Sequence, residues 1–150
     1  MPEVIAELQP VLDILASSSN GIVTVDVPGV VPDLLIDRVR IQHVLFALIQ
    51  NAVDASIDSD SPSIRIDVSA DRYSVETGVT DSGAGVPTSV QQQLFRPFFT
   101  TKAQGTGLGL ASSRAIIESH EGTMGFSNLP AGGSRFWFRL PVASGRSEQV

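Results

Sequence analysis

Two glycine-rich segments, Asp81-Ser82-Gly83-Ala84-Gly85 and Gly105-Thr106-Gly107-Leu108-Gly109-Leu110, constrain this chain more than any other feature. Glycine has no Cβ and adopts positive φ readily, so each segment lets the backbone come close to a ligand. The second runs directly into a helical pattern, which adds free N–H groups and the positive end of a helix dipole. Such an arrangement suits a polyphosphate. Between the segments lies Pro97-Phe98-Phe99-Thr100-Thr101-Lys102.

Other nucleotide motifs fit less well. Gly83-Ala84-Gly85 follows a strand pattern as a dinucleotide fingerprint would, but Thr88 stands at the third glycine position and no parallel βαβ pattern surrounds it. The phosphate-loop pattern of two glycines four residues apart followed by Lys and Ser or Thr is absent, as are the catalytic-loop signatures of Ser/Thr/Tyr kinases. What remains is strand, Asp-x-Gly-x-Gly, a short connecting segment, Gly-x-Gly-x-Gly, helix.

With 150 residues and 42% hydrophobic content, the chain suits a single domain, residues 1–150, able to build a core without staples. It contains no cysteine, so disulfides, thiolate metal sites and a cysteine nucleophile are excluded. A formal net charge of -6 argues against nucleic acid as a partner. No apolar run approaches the roughly 20 residues that span a bilayer. Met-Pro-Glu lacks the basic start of a signal peptide, so a cytoplasmic chain without membrane contact is expected.

In chain order, Val4 to Leu15 has a helical apolar period stopped by Ser17-Ser18-Ser19-Asn20-Gly21. Ile22, Val23 and Val25 read as a strand, Pro28-Gly29 as a turn and Leu34-Leu35-Ile36 as a second strand, together a small hairpin. Asp37 can cap a helix from Arg38 to about Ile57 whose Ile41, Val44, Leu45, Leu48, Ala52 and Ala55 share one face. Asn51 interrupts an apolar stretch there; alone it would read as a half-exposed helical amide. Ile64, Ile66 and Val68 alternate with Arg65, Asp67 and Ser69 in a half-buried strand, and after Ala70-Asp71-Arg72 its antiparallel partner carries Tyr73, Val75, Val79 and Thr80. Asp81 sits where that strand ends. Pro87 opens a short helix within Val86 to Leu94. Leu108 to His120 is helical and ends at Glu121-Gly122, with glycine in the usual C-terminal position. Met124 and Phe126, then Phe136, Phe138 and Leu140 across Pro130-Ala131-Gly132-Gly133, form a final hairpin, and the tail 143–150 reads as disordered.

From about Val4 to Val142 this order of motifs resembles the histidine-kinase ATP-binding domain, within the group of gyrase, Hsp90, histidine kinase and mismatch-repair ATPases. The short segment between Gly85 and Gly105, with Thr100-Thr101-Lys102, looks like the lid of the nitrogen- and oxygen-sensing type of sensor kinase. Phe95, Phe98 and Phe99 would fasten its base. The resemblance implies a two-layer α/β sandwich of the Bergerat type, three main helices on one face of a mixed, mainly antiparallel sheet of about five strands.

It also implies ATP and Mg²⁺ as cofactors. Asn51, in a stretch similar to the family's N box, would give its side-chain oxygen to Mg²⁺, a neutral ligand suited to a hard cation that keeps most of its waters. Asp81 would take the adenine amino group, with Gly83 and Gly85 leaving room for the ring. Thr101, Lys102, Gly105, Gly107, Leu108 and Gly109 would hold the remaining nucleotide, Lys102 meeting phosphate. Asn51 and Lys102 are then the candidate catalytic pair.

The chain departs from the family at three positions. Ala47 stands where the ATPases of the group carry a glutamate base and histidine kinases often have Asn, so hydrolysis is expected to be slow. Asp54 replaces a Lys common in sensor kinases. Arg135 stands before Phe136, where the family often has Thr.

The two histidines, His43 and His120, both read as structural, His120 as an imidazolium at a helix C-terminus. No helix has the His-Glu or His-Asp pair of a phosphotransfer domain. The expected activity is therefore that of the catalytic part of a protein-histidine kinase in two-component signalling. Its partners would be a His-containing dimerisation domain and, downstream, a response regulator. The fragment itself has no heptads and is expected to be monomeric. A degenerate regulatory ATP module and a Ser/Thr kinase resembling anti-sigma factors of this fold are the alternatives.

Overall fold

The computed structural model describes Pro10 and residues 22–56, 62–83, 85–91, 93, 95–96, 109–130 and 132–143. The helix expected over Val4 to Leu15 and the tail 144–150 lie outside them. Strand β1 spans Ile22–Asp26, helix α1 Arg38–Ala55, β2 Ser63–Ala70, β3 Ser74–Asp81, the short α2 Thr88–Gln91, α3 Gly109–Ser119, β4 Thr123–Asn128 and β5 Ser134–Pro141. The strands make one sheet in the order β1-β2-β3-β5-β4, with β1 parallel to β2 and every other pair antiparallel. It is a two-layer α/β sandwich in which α1 and α3 pack on each other over one face.

Helix α1 begins where Asp37, in extended conformation, accepts the Arg40 N–H on its carboxylate at 3.2 Å, satisfying one of the donors a helix start leaves free. Ile41, Val44, Leu45, Leu48, Ile49 and Ala52 then fall at three- and four-residue steps and are buried. Ala55, expected on that face, is exposed instead, and Ile49 takes its place in the core. Across from α1, Ile64, Ile66 and Val68 of β2, Val75 and Val79 of β3, and Phe136, Phe138 and Leu140 of β5 alternate inward at the period of two. Truncating a fully buried member such as Leu48 or Phe138 to Ala costs about 2–5 kcal/mol.

The expected hairpin at 22–36 does not form. β1 pairs in parallel with β2, Ile22 opposite Ser63 through Asp26 opposite Asp67, and residues 27–37 carry no strand. Pro28 and Pro32 remove two ladder donors, so this stretch cannot act as a full strand partner. It lays Val27, Val31, Leu34 and Ile36 against the core while Leu35 faces out. Tyr73 also stands outside its expected strand, 63% exposed in the turn where Asp71 accepts the N–H groups of Tyr73 and Ser74 at 2.7 and 2.8 Å.

Helix α3 ends differently from expectation as well. Glu121, not Gly122, takes the left-handed conformation at φ 64. The Gly122 N–H bonds the Ile117 carbonyl at 2.9 Å and the Glu121 N–H that of Glu118 at 3.0 Å, the paired bonds of a Schellman end. Glycine is needed at 122 for a different reason: a Cβ there would overlap the Arg139 carbonyl oxygen.

The opposite sheet face carries a cluster of charged side chains. The Arg135 guanidinium lies flat over Gly78, where any Cβ would overlap it, and pairs with Asp67 at 2.8 Å and Glu76 at 3.1 Å. Partial burial works against its charge, but the two carboxylates outweigh that and hold its pKa above the usual value. Among the described residues no helix is long and apolar enough to cross a membrane.

Candidate nucleotide site

Asp81 closes β3 on the helix-covered face and is only 3% exposed. One carboxylate oxygen, Oδ1, accepts the Gly83 N–H at 2.9 Å, and Oδ2 accepts the Ser134 hydroxyl at 2.8 Å. Both oxygens of a buried carboxylate are thus engaged, as burial of such a group requires. Ser134 is itself buried, the first residue of β5 and in phase with Phe136 on the inner face. The period of two therefore separates Ser134 from its neighbour Arg135. Arg135 points to the opposite face and takes no part in this site, whereas Ser134 supplies the hydroxyl.

Three glycines shape the turn after Asp81. Gly133, at φ 88, lies so close to the Asp81 carbonyl oxygen that a Cβ would overlap it. Gly83 lies equally close to the Ala55 carbonyl oxygen at the C-terminus of α1. Gly85, at φ 86, turns the chain past Asn128. Hydroxyls also tie the turn to the end of α1 and the start of β2: the Ser82 N–H donates to Ser56 Oγ at 3.3 Å, and Ser82 Oγ accepts the Ser63 N–H at 2.9 Å.

Asn51 lies in the last turn but one of α1, half-buried, four residues before the carbonyl that Gly83 touches. The structure thus brings Asn51, Asp81, Gly83 and Gly85 to one end of the sandwich. Ala47 is one turn earlier on the same helix and also half-buried. Asp54 accepts a hydrogen bond from Gln50 Nε2 at 3.2 Å. Gly109 opens α3, and no atom of the described residues lies within 4 Å of where its Cβ would stand. Thr101, Lys102, Gly105, Gly107 and Leu108, with Phe98 and Phe99, lie outside the described residues. Phe95 packs against the core, and the Arg114 guanidinium sits 5.4 Å from its ring centre.

Neither histidine belongs to this end. His43 is exposed on α1. His120 caps α3 and accepts the Asp37 N–H on Nε2 at 3.0 Å while Nδ1 faces the Ile116 carbonyl at 2.8 Å. Through this ring the end of α3 is tied to the N-cap of α1.

A central strand ending in a buried carboxylate, a glycine turn pinned between a helix end and a hairpin, and α1 and α3 packed over one sheet face define an ATP-binding domain of the histidine-kinase and gyrase kind. Residues 36–144 match the family described as histidine kinase-, DNA gyrase B- and HSP90-like ATPase, and the chain belongs to it. It is similar to the catalytic domain of the histidine kinase ThkA, with a TM-score of 0.85 and 33% identity over 95% of this chain and 92% of that one. It is also similar to sensor protein TdiS of Thauera aromatica, 39% identical over 116 residues, which is 74% of this chain and 21% of that protein. Sensor protein FixL of Bradyrhizobium diazoefficiens is 41% identical over 111 residues, 73% of this chain and 22% of that protein. The chain thus spans about a fifth of the length of these two sensor proteins.

Proposed function

We propose that this chain binds Mg-ATP and presents the γ-phosphate to a histidine on a helical dimerisation domain outside residues 1–150. The observation that carries this reading is the doubly held Asp81 carboxylate beside Gly83 and Gly85. With its position fixed, it can accept the exocyclic amino group of adenine and rejects guanine, which offers a carbonyl there.

Asn51 is the residue that would hold Mg²⁺. Among the described residues no group of three His, Cys, Asp or Glu gathers to cage a metal, which suits an ion held chiefly by phosphates and water with one neutral protein oxygen. When bound, the ion neutralises phosphate charge; the chain's own part is to position the nucleotide. Lys102 would contact phosphate, and Thr101, Gly105, Gly107, Leu108 and Gly109 would line the same nucleotide. Ala47 has no proton-accepting group, so water is not activated from that position and hydrolysis is slow.

The acceptor domain, a response regulator downstream, a cytoplasmic setting and a monomeric fragment complete the reading. Incubation of the chain with Mg-ATP labelled at the γ-phosphate tests it. We expect nucleotide binding, slow release of phosphate and no label on the chain. Stable phosphohistidine at His43 or His120, lost when that residue is replaced, would contradict it.

A further inference from the structure

The peptide unit of Val86 belongs to no strand ladder or helix, yet three side-chain bonds converge on it. Asn128 Oδ1 accepts the Val86 N–H at 2.9 Å, and Asn128 Nδ2 donates to the Val86 carbonyl at 2.9 Å. Gln91 Nε2 donates to that same carbonyl at 3.1 Å from the end of α2. A primary amide carries the same donor and acceptor as a peptide, so Asn128 pairs with Val86 as a neighbouring strand would. The pairing admits one orientation of the amide, because the reverse would set N–H against NH₂ and carbonyl against carbonyl. Gly85 belongs to the same device: a Cβ there would come within 3.2 Å of Asn128 Oδ1, at a φ of 86 that side chains rarely adopt.

The register shows what this pairing is tied to. Asn128 is the direct cross-strand partner of Ser134 at the closing end of the β4–β5 hairpin. Directly paired residues point to the same face. Ser134 grips Asp81, where the glycine turn begins, and Asn128 grips Val86, where it ends. The loop between the two is itself closed by the Leu129 N–H on the Gly133 carbonyl and the Gly132 N–H on the Leu129 carbonyl, both at 3.0 Å. One rung of the hairpin therefore spans both ends of the segment that frames the Asp81 carboxylate.

We propose that Asn128 is a positioning residue of the nucleotide site, setting where the backbone at Gly85 and Val86 stands relative to the Asp81 carboxylate. This rests on the ATP reading above and assigns a role to a residue with no direct contact to the ligand. Asp at 128 could accept the Val86 N–H but would oppose its carbonyl, and Ser or Ala could not span both groups. Because Asn128 acts at the adenine end, its loss falls on the base-binding part of affinity and leaves the Mg²⁺-dependent part alone.

Asn128→Ala tests the proposal. Amide hydrogen exchange followed by nuclear magnetic resonance reports on the clamp, and calorimetric titration with ATP, with and without Mg²⁺, reports on the site. We expect the Val86 amide to lose protection and ATP affinity to fall about three- to tenfold, equally with and without Mg²⁺, as two modest hydrogen bonds imply. The thermal midpoint should stay close to that of the unaltered chain, because Asn128 is solvent-exposed. Asn128→Asp, of the same size, should keep the Val86 amide protected and still lose affinity. Unchanged ATP affinity in Asn128→Ala, a loss confined to the Mg²⁺-dependent part, or full affinity in Asn128→Asp would each overturn the proposal. If the unaltered chain binds no ATP, the ATP reading itself fails, while exchange at Val86 still shows whether the clamp exists.

Discussion

The Ser134 hydroxyl donates to Asp81 Oδ2 across 2.8 Å, and both residues are almost completely buried. Ser134→Ala leaves a buried carboxylate oxygen without its donor, at a cost of about 1–3 kcal/mol. Denaturant unfolding should show that loss, and ATP affinity should fall with it. Ser134→Thr keeps the hydroxyl and should restore most of both; a Thr variant as impaired as Ala would mean that volume rather than the hydrogen bond matters here.

Gly133→Ala is expected to be more damaging. The new methyl group would overlap the Asp81 carbonyl oxygen at a φ of 88. Backbone strain of this kind costs on the order of 1–3 kcal/mol before any clash is relieved. Relief would displace Asp81, so unfolding and ATP titrations should both report a loss. Normal stability in the Gly133→Ala chain would show that the turn is not packed as described.

Thr77 carries the reverse expectation. Its hydroxyl is buried on the inner face of β3 and has no hydrogen-bond partner among the described residues. Thr77→Val exchanges that hydroxyl for a methyl of similar size, removing a desolvation penalty of about 1–3 kcal/mol. Urea unfolding should find the variant more stable. A destabilised variant would place a donor or acceptor near this hydroxyl.

Asp71 supplies a pH test. The N–H groups of Tyr73 and then Ser74 bond its carboxylate and hold its pKa below the usual value. Folding therefore favours the ionised form. The contribution is fully present above the unfolded carboxyl value, about 3.9, and disappears as pH falls through the folded one. Asp71→Ala should lower the thermal midpoint near neutrality, with the gap to the unaltered chain closing in acid. A gap independent of pH would assign the effect to turn geometry alone.

Much of this organisation is legible in the sequence because it rests on periodicity. The buried face of α1, the alternation of β2, the Asp37 cap and the position of Asp81 at the end of β3 follow from spacing and burial. What spacing does not show is partner choice. Ile22 to Asp26 is a plausible strand in either direction, and only the fold pairs it with β2 in parallel. The residue next to Phe136 that family resemblance singles out is Arg135, one position away from the hydroxyl that meets Asp81. Counting back from Phe136 by the strand period of two gives Ser134 on the inner face, so the sequence does carry that signal. The Asn128–Val86 pairing has none: the two residues lie far apart in sequence, and neither sits in a glycine box. The contact of His120 with the remote Asp37 N–H is likewise invisible to spacing.

The most direct test of the central claim is calorimetric titration of this chain and of Asp81→Asn with Mg-ATP and Mg-GTP. If Asp81 meets adenine's amino group with a fixed acceptor, as proposed, the unaltered chain should prefer ATP by roughly ten- to hundredfold. Asp81→Asn should weaken ATP binding and narrow that gap, because an amide can turn its NH₂ toward the guanine carbonyl. Asn51→Ala should reduce only the Mg²⁺-dependent affinity and leave base preference intact. An Asp81→Asn chain that keeps full affinity and full preference for ATP would contradict the assignment of this end of the sandwich as the nucleotide site.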